Sequence, residues 1–139
     1  MTEDDIDALV AIEKKCFGKR DAWRRSAFID ATWRTNSIFL VAELDRQIVG
    51  CAGAEITSNA AEIQTVSVDP THHGRGFGTK LFAELLAAIR ARGATMAYLE
   101  VRTGNTPAID LYEKFGFRVM TSLENFYHNE DALVMFKNF

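Results

Sequence analysis

Cysteine is scarce in this sequence. Only Cys16 and Cys51 occur among 139 residues, and neither belongs to a CxxC pair or a cysteine–histidine cluster. That excludes a disulfide-framed scaffold and argues against a structural zinc site; two reduced core thiols in a cytosolic, cytoplasmic protein are the expectation. Proline is equally sparse. Pro70 and Pro107 both fall inside compact motifs, and no repeat, low-complexity tract or linker separates one part of the chain from another, so residues 1–139 read as a single domain. No stretch approaches the ~20 apolar residues of a membrane span, and the acidic start, Met1 to Val10, has no signal-peptide apolar run. An excess of basic charge is also missing. The formal net charge is −3, which disfavours nucleic acid as a partner while tolerating a basic peptide.

What remains is an ordinary globular composition, 47% hydrophobic and 25% charged. A chain of this length buries roughly two thirds of the surface it exposes when unfolded, enough for one core without staples. Acidic residues after Thr2 suit the first turn of a helix, where the backbone is partially positive. Ile6, Leu9, Val10, Glu13 and Phe17 then recur at helical spacing, and Gly18 is the expected stop. A second helix is predicted over about 22–32, anchored by Trp23, Phe28 and Trp33. Three strands follow, 37–43, 47–56 and 61–68, close enough in sequence for an antiparallel meander. A helix after Gly78 carries the stripe Leu81, Phe82, Leu85, Leu86, Ile89 and ends at Gly93. Strand 96–101, helix 106–115 and strands 117–123 and 132–136 complete an αα-βββ-α-β-α-ββ order. This is a mixed α/β (α+β) domain with helices on a central, mostly antiparallel sheet.

The segment from Val66 to Leu81 is the most informative. A strand closed by Asp69 and Pro70 leads into Gly74, Gly76 and Gly78, and a helix opens at once. Glycines admit close backbone approach, and a helix N-terminus favours anions, so the turn resembles a pyrophosphate cradle, with the Arg75 fork beside it. Three known phosphate loops fail on spacing. Lys80 follows Thr79 and precedes Leu81, against the Walker order, and Thr79 stands where the dinucleotide and kinase loops need glycine. A turn whose glycines only supply positive φ is the alternative.

His73-Gly-Arg-Gly-Phe-Gly78 is similar to the (Gln/Arg)-x-x-Gly-x-(Gly/Ala) motif of the GNAT acetyltransferases, with His73 where Gln or Arg is usual. The run Leu99-Glu-Val-Arg-Thr-Gly-Asn-Thr-Pro-Ala-Ile-Asp-Leu-Tyr-Glu-Lys-Phe-Gly-Phe117 resembles the LEVR-x-x-N-x-x-A-x-x-LY-x-x-x-GF pattern of bacterial ribosomal-protein-alanine N-acetyltransferases at every named position. Ile12, Glu13, Phe17, Trp23, residues 125–127 and residues 131–135 extend the likeness over nearly the whole chain. The resemblance implies a GNAT fold, its first edge strand short or absent because the helix signal begins almost at Met1. It implies acetyl-CoA as cosubstrate without a metal. Val66, Ser67, Val68, Gly74, Arg75, Gly76, Phe77, Gly78, Thr79 and Asn105 would hold it, with an oxyanion donor from a backbone amide near Val68 freed by a bulge or splay. Glu100 is the implied base and Tyr112 the implied acid. Glu62 and Gln64, where other branches place their base, are rivals to Glu100. Tyr127 falls near the implied acceptor site. The adjacent pair His72-His73 is poorly placed to converge on one metal ion.

Acetyl transfer to an amine requires the amine to be neutral. An α-amino group, of pKa about 7.7–8.0, is already about one tenth neutral near pH 7, whereas a lysine near 10.4 needs about three more decades of help. The acceptor expected on this ground and from the resemblance is a protein N-terminus, a ribosomal protein's N-terminal alanine foremost. A lysine or small amine and a non-catalytic coenzyme-binding domain are the other readings. Intact Glu100, Asn105 and Tyr112 count against the last.

Overall fold

The structure is a computed structural model describing residues 1–127 and 130–139. Its elements follow the predicted order: α1 (Ile6–Asp21), α2 (Arg25–Trp33), β1 (Ser37–Leu44), β2 (Gln47–Thr57), β3 (Ala60–Val68), α3 (Phe77–Ala91), β4 (Met96–Arg102), α4 (Thr106–Lys114), β5 (Arg118–Tyr127) and β6 (Glu130–Asn138). The strands form one six-stranded sheet in the order β1-β2-β3-β4-β6-β5. Every pairing is antiparallel except β3 with β4, whose ends are joined through α3, as a parallel pair requires.

The two faces of the sheet are built differently. On one face α3 presents Leu81, Phe82, Leu85, Leu86 and Ile89 to Ala52, Ala54, Ile63, Val68 and Leu99. Phe82 sits in a ring cluster with Tyr112, Phe115 and Phe117, at centroid distances of 5.2, 5.1 and 5.5 Å. On the other face Ile6, Leu9 and Phe28 of α1 and α2 close over Cys51. Trp23, Phe28 and Phe39 form an aromatic corner there, and the Phe39 ring lies over Gly53, where a Cβ would come within 2.2 Å of it. No helix among the described residues is long and apolar enough to cross a membrane.

Three local features differ from the sequence expectation. Gly18 stops the first helical run as expected, at φ 75° and ψ 177°, but α1 resumes across the kink for one further turn to Asp21. The final hairpin is longer at both strands than 117–123 and 132–136. The bulge in β3 lies at Gln64, between Ile63 (opposite Ala54) and Thr65 (opposite Gly53), and not at Val68. One inserted residue switches the face of everything after it. Ala61 and Ile63 join the α3-side core, whereas Thr65 and Ser67 turn to the α1 side and Val66 and Val68 take their place.

Candidate active site

The parallel ladder between β3 and β4 is short. It pairs Ala60 with Met96, Ala61 with Ala97 and Glu62 with Tyr98, and then the strands part. Into the gap opens a cavity of about 280 Å³ lined from both sides of the sheet. Glu13, Asp21 and Trp23 reach it from the α1–α2 side; Asn105, Ala108 and Tyr112 reach it from α4. Glu62, Gln64, Val66, Glu100, Arg102 and Tyr127 border it along the strands and the final hairpin. Sequence-predicted Glu100 and Tyr112 therefore share one cavity, and the rivals Glu62 and Gln64 share it too.

Beyond the ladder the edge of β3 has no strand partner on the β4 side. The Asp69 amide donates to the Val49 carbonyl at 2.7 Å, so the Asp69 N–H points toward β2. By alternation Val68 and Val66 turn their peptide groups the other way, into the gap. The splay, with the bulge four residues upstream, leaves those peptide groups without a partner on β4. The Val68 carbonyl accepts from the Cys16 thiol at 3.2 Å and contacts His73 Nε2 at 2.7 Å. His73 thus ties the glycine turn back to the end of β3, a holding role for the position that departs from the motif. His72 contacts the Thr71 hydroxyl instead, so the two imidazoles serve different partners.

At the turn, Gly74 (φ 79°) and Gly76 (φ 82°) take the left-handed conformation that side chains resist, and Gly76 caps α3. A Cβ on either would meet nothing within 4 Å, so the space above them is open to solvent. The first intrahelical bond is Lys80 N–H to Gly76 O, at 3.0 Å, which leaves the amides of Phe77, Gly78 and Thr79 without a helical acceptor. Arg75 is exposed beside them. Unpaired amides at an uncrowded, partially positive helix end fit the diphosphate of a coenzyme. Ser67 is different. Its side chain is buried against Cys51, 3.4 Å away, and away from the turn.

Asn105 caps α4, its Oδ1 accepting from the Ala108 amide at 3.3 Å, which leaves its NH₂ group to donate elsewhere. Tyr112 is almost fully buried against Phe82 and Phe117, and burial holds its phenol protonated well above the usual tyrosine range. The carboxyl of Glu100 is pushed above the ordinary glutamate value first by desolvation and then by the charge of Glu62. Arg102 does not bridge to Glu100. It pairs with Asp21 and with Glu130 (3.2 Å), and stacks on the Tyr127 ring at 4.5 Å. The Tyr127 hydroxyl donates to the Glu100 carbonyl at 3.4 Å, so the hairpin leans over the cavity mouth.

Sequence reasoning missed the part played by Glu13. This carboxylate is fully buried, accepts from Thr65 Oγ1 at 2.7 Å and from the Trp23 amide at 3.1 Å, and is pushed upward in pKa mainly by desolvation. It clamps the α1–α2 turn, and with it the cavity wall, to β3. The available signal was an acidic residue in an otherwise apolar helical stripe.

The model of the acetyltransferase (GNAT) family matches residues 6–117. The chain belongs to this family. Among curated GNAT relatives, the N-alpha-acetyltransferase RimI of Mycobacterium tuberculosis is 32% identical over 95% of this chain and 84% of its own length. The crystal structure of the ribosomal-protein-S18-alanine N-acetyltransferase from Escherichia coli superposes with a TM-score of 0.89 at 25% identity, over 99% of this chain and 90% of that one. PaiA N-acetyltransferase from Thermoplasma acidophilum, solved in complex with coenzyme A, shares the fold at a TM-score of 0.83 and 18% identity, over 100% of this chain and 96% of that one. The GNAT fold expected from the two motifs is thus the fold of this chain, and the chain is an N-acetyltransferase.

Proposed function

We propose that residues 1–139 act as one acetyltransferase domain that acetylates the α-amino group of a protein N-terminus, a ribosomal protein beginning with alanine being the foremost acceptor. The observation that carries the reading is the splay of β3 from β4. It connects the open glycine turn on one side of the sheet with the acidic, aromatic-walled mouth on the other. Relatives over most of the chain that carry ribosomal-protein-alanine N-acetyltransferase names support the acceptor class.

Bound acetyl-CoA would supply a thioester as the acetyl donor. The amides of residues 77–79, with Gly74, Gly76 and Arg75 around them, would hold its diphosphate, and the outward peptide groups of Val66 and Val68 with the Asn105 amide would align its arm along the gap. The amide at Val68 is the candidate to steady negative charge on the reacting carbonyl oxygen. Glu100, a carboxylate whose proton affinity is raised, takes the proton from the incoming ammonium. Tyr112, held as the neutral phenol, returns a proton to the departing sulfur. Glu62 and Glu100 at the mouth suit a cationic acceptor end.

Mass spectrometry of peptides incubated with acetyl-CoA tests the reading. A peptide with a free N-terminal alanine should gain one acetyl group at that nitrogen. Transfer confined to a lysine of an N-terminally blocked peptide would move the acceptor to a side-chain amine.

A further inference from the structure

The last rung of the β3–β4 ladder sets Glu62 opposite Tyr98, and the Tyr98 hydroxyl donates to Glu62 Oε2 at 2.9 Å. Glu100 is two residues further along β4, hence on the same face as Tyr98. Both carboxylates line the cavity just where the strands separate. We propose that Tyr98 is a positioning residue: it fixes Glu62 beside Glu100, so that the two carboxylates act as one unit in receiving the proton of the acceptor amine. This rests on the reading of Glu100 as the base.

The other charged and titratable groups around Glu100 are already engaged. Arg102 on its own strand is held by Asp21 of α1 and Glu130 of β6, and Glu13 of α1 is held by Thr65 and the Trp23 amide. Tyr112 of α4 and Tyr127 of β5 are phenols whose pKa is raised by burial, so neither brings a charge near neutral pH. Facing β6 contributes Val134 at the paired position. Glu62 is therefore the negative charge that Glu100 meets, and the Tyr98 hydroxyl, its pKa pushed up to about 12 first by burial and then by Glu62, remains a proton donor to it. In the step itself the acceptor R–NH₃⁺ loses one N–H proton to Glu100 and becomes R–NH₂. Glu62 keeps its hydrogen bond from the Tyr98 hydroxyl, and the proton later leaves Glu100 for water at the cavity mouth.

The test is the pH dependence of kcat/KM, measured with an alanine-terminated peptide, for the parent, Glu62→Gln, Tyr98→Phe and the double variant. Acetyl-CoA affinity is followed in each by calorimetry. Removing the Glu62 charge should move the acidic limb to lower pH, about threefold or more in proton concentration. Tyr98→Phe should lower kcat/KM about 3–10-fold in the parent and less than about twofold in Glu62→Gln, with acetyl-CoA affinity unchanged. An acidic limb that stays put in Glu62→Gln, or equal losses from Tyr98→Phe in both backgrounds, would overturn the proposal. Glu100→Gln separates it from the reading beneath. If that change leaves the limb in place, Glu100 is not the base; if it abolishes the limb while Glu62→Gln does not move it, only the pairing is wrong. Should Glu62→Gln not fold, carbon NMR of labelled glutamate carboxyls in the parent decides. Two linked titration steps for residues 62 and 100 support the unit, and one independent step for Glu100 overturns it.

Discussion

The α3 face and the α1–α2 face of the sheet bury their side chains by opposite means. Behind α3 the buried groups are aliphatic and aromatic, and Phe82 joins the helix that carries the glycine turn to Tyr112. Behind α1 a carboxylate, Glu13, and two hydroxyls, Thr65 and Ser67, are buried, and Glu13 and Thr65 line the cavity. The first face holds the proposed coenzyme side of the site by packing, which is non-directional and tolerant. The second holds the proposed acceptor side by a few hydrogen bonds whose loss leaves buried polar groups unpaired.

The contrast can be broken most strongly at Phe82. Phe82→Ala should cost about 3–5 kcal/mol of stability, read from denaturant midpoints, and should depress turnover because Tyr112 loses the ring it leans on. Loss of stability with unaltered turnover would detach the core from the acid. Glu13→Ala should cost about 2–3 kcal/mol by orphaning the Trp23 amide and the Thr65 hydroxyl, and should raise KM for the peptide more than for acetyl-CoA. Equal effects on both substrates would erase the division between faces. Gly76→Val forces a branched side chain into the left-handed region, at about 1–2 kcal/mol. It should weaken acetyl-CoA binding at least about tenfold by calorimetry; retained affinity would remove the turn from the coenzyme site.

The smallest effect concerns pH. The Glu13 carboxyl has a higher pKa folded than unfolded, so the folded state binds the extra proton and stability falls as pH rises from the ordinary value near 4.5 up through the folded one. The penalty is absent below that window and complete above it. Glu13→Gln should flatten this slope in urea titrations across the window, and an unchanged slope would assign it to another group.

These two faces were also unequally legible. The stripe Leu81–Ile89 and the alternating strands announce which sides are buried, and the glycine spacing and the 99–117 run point to the turn, Glu100 and Tyr112. Periodicity does not name cross-strand partners. A one-residue bulge such as Gln64 has no composition of its own, yet it decides that Thr65, and not Val66, meets Glu13. For the same reason the Tyr98–Glu62 rung and the Arg102 pairs were invisible, being products of register between segments 28 to 81 residues apart. Gly18 read as a stop because glycine marks helix ends, but the turn it permits to Asp21 is what carries that acid to Arg102.

Amide NMR during successive titrations tests the central claim most directly. Acetyl-CoA should shift the amides of Val66, Val68, Phe77, Gly78, Thr79 and Asn105, and an alanine-terminated peptide added afterwards should shift Asp21, Trp23 and Tyr127, with Glu100 responding to both. If the two ligands instead perturb the same side of the sheet, or leave the β3–β4 gap silent, the gap is not where donor and acceptor meet.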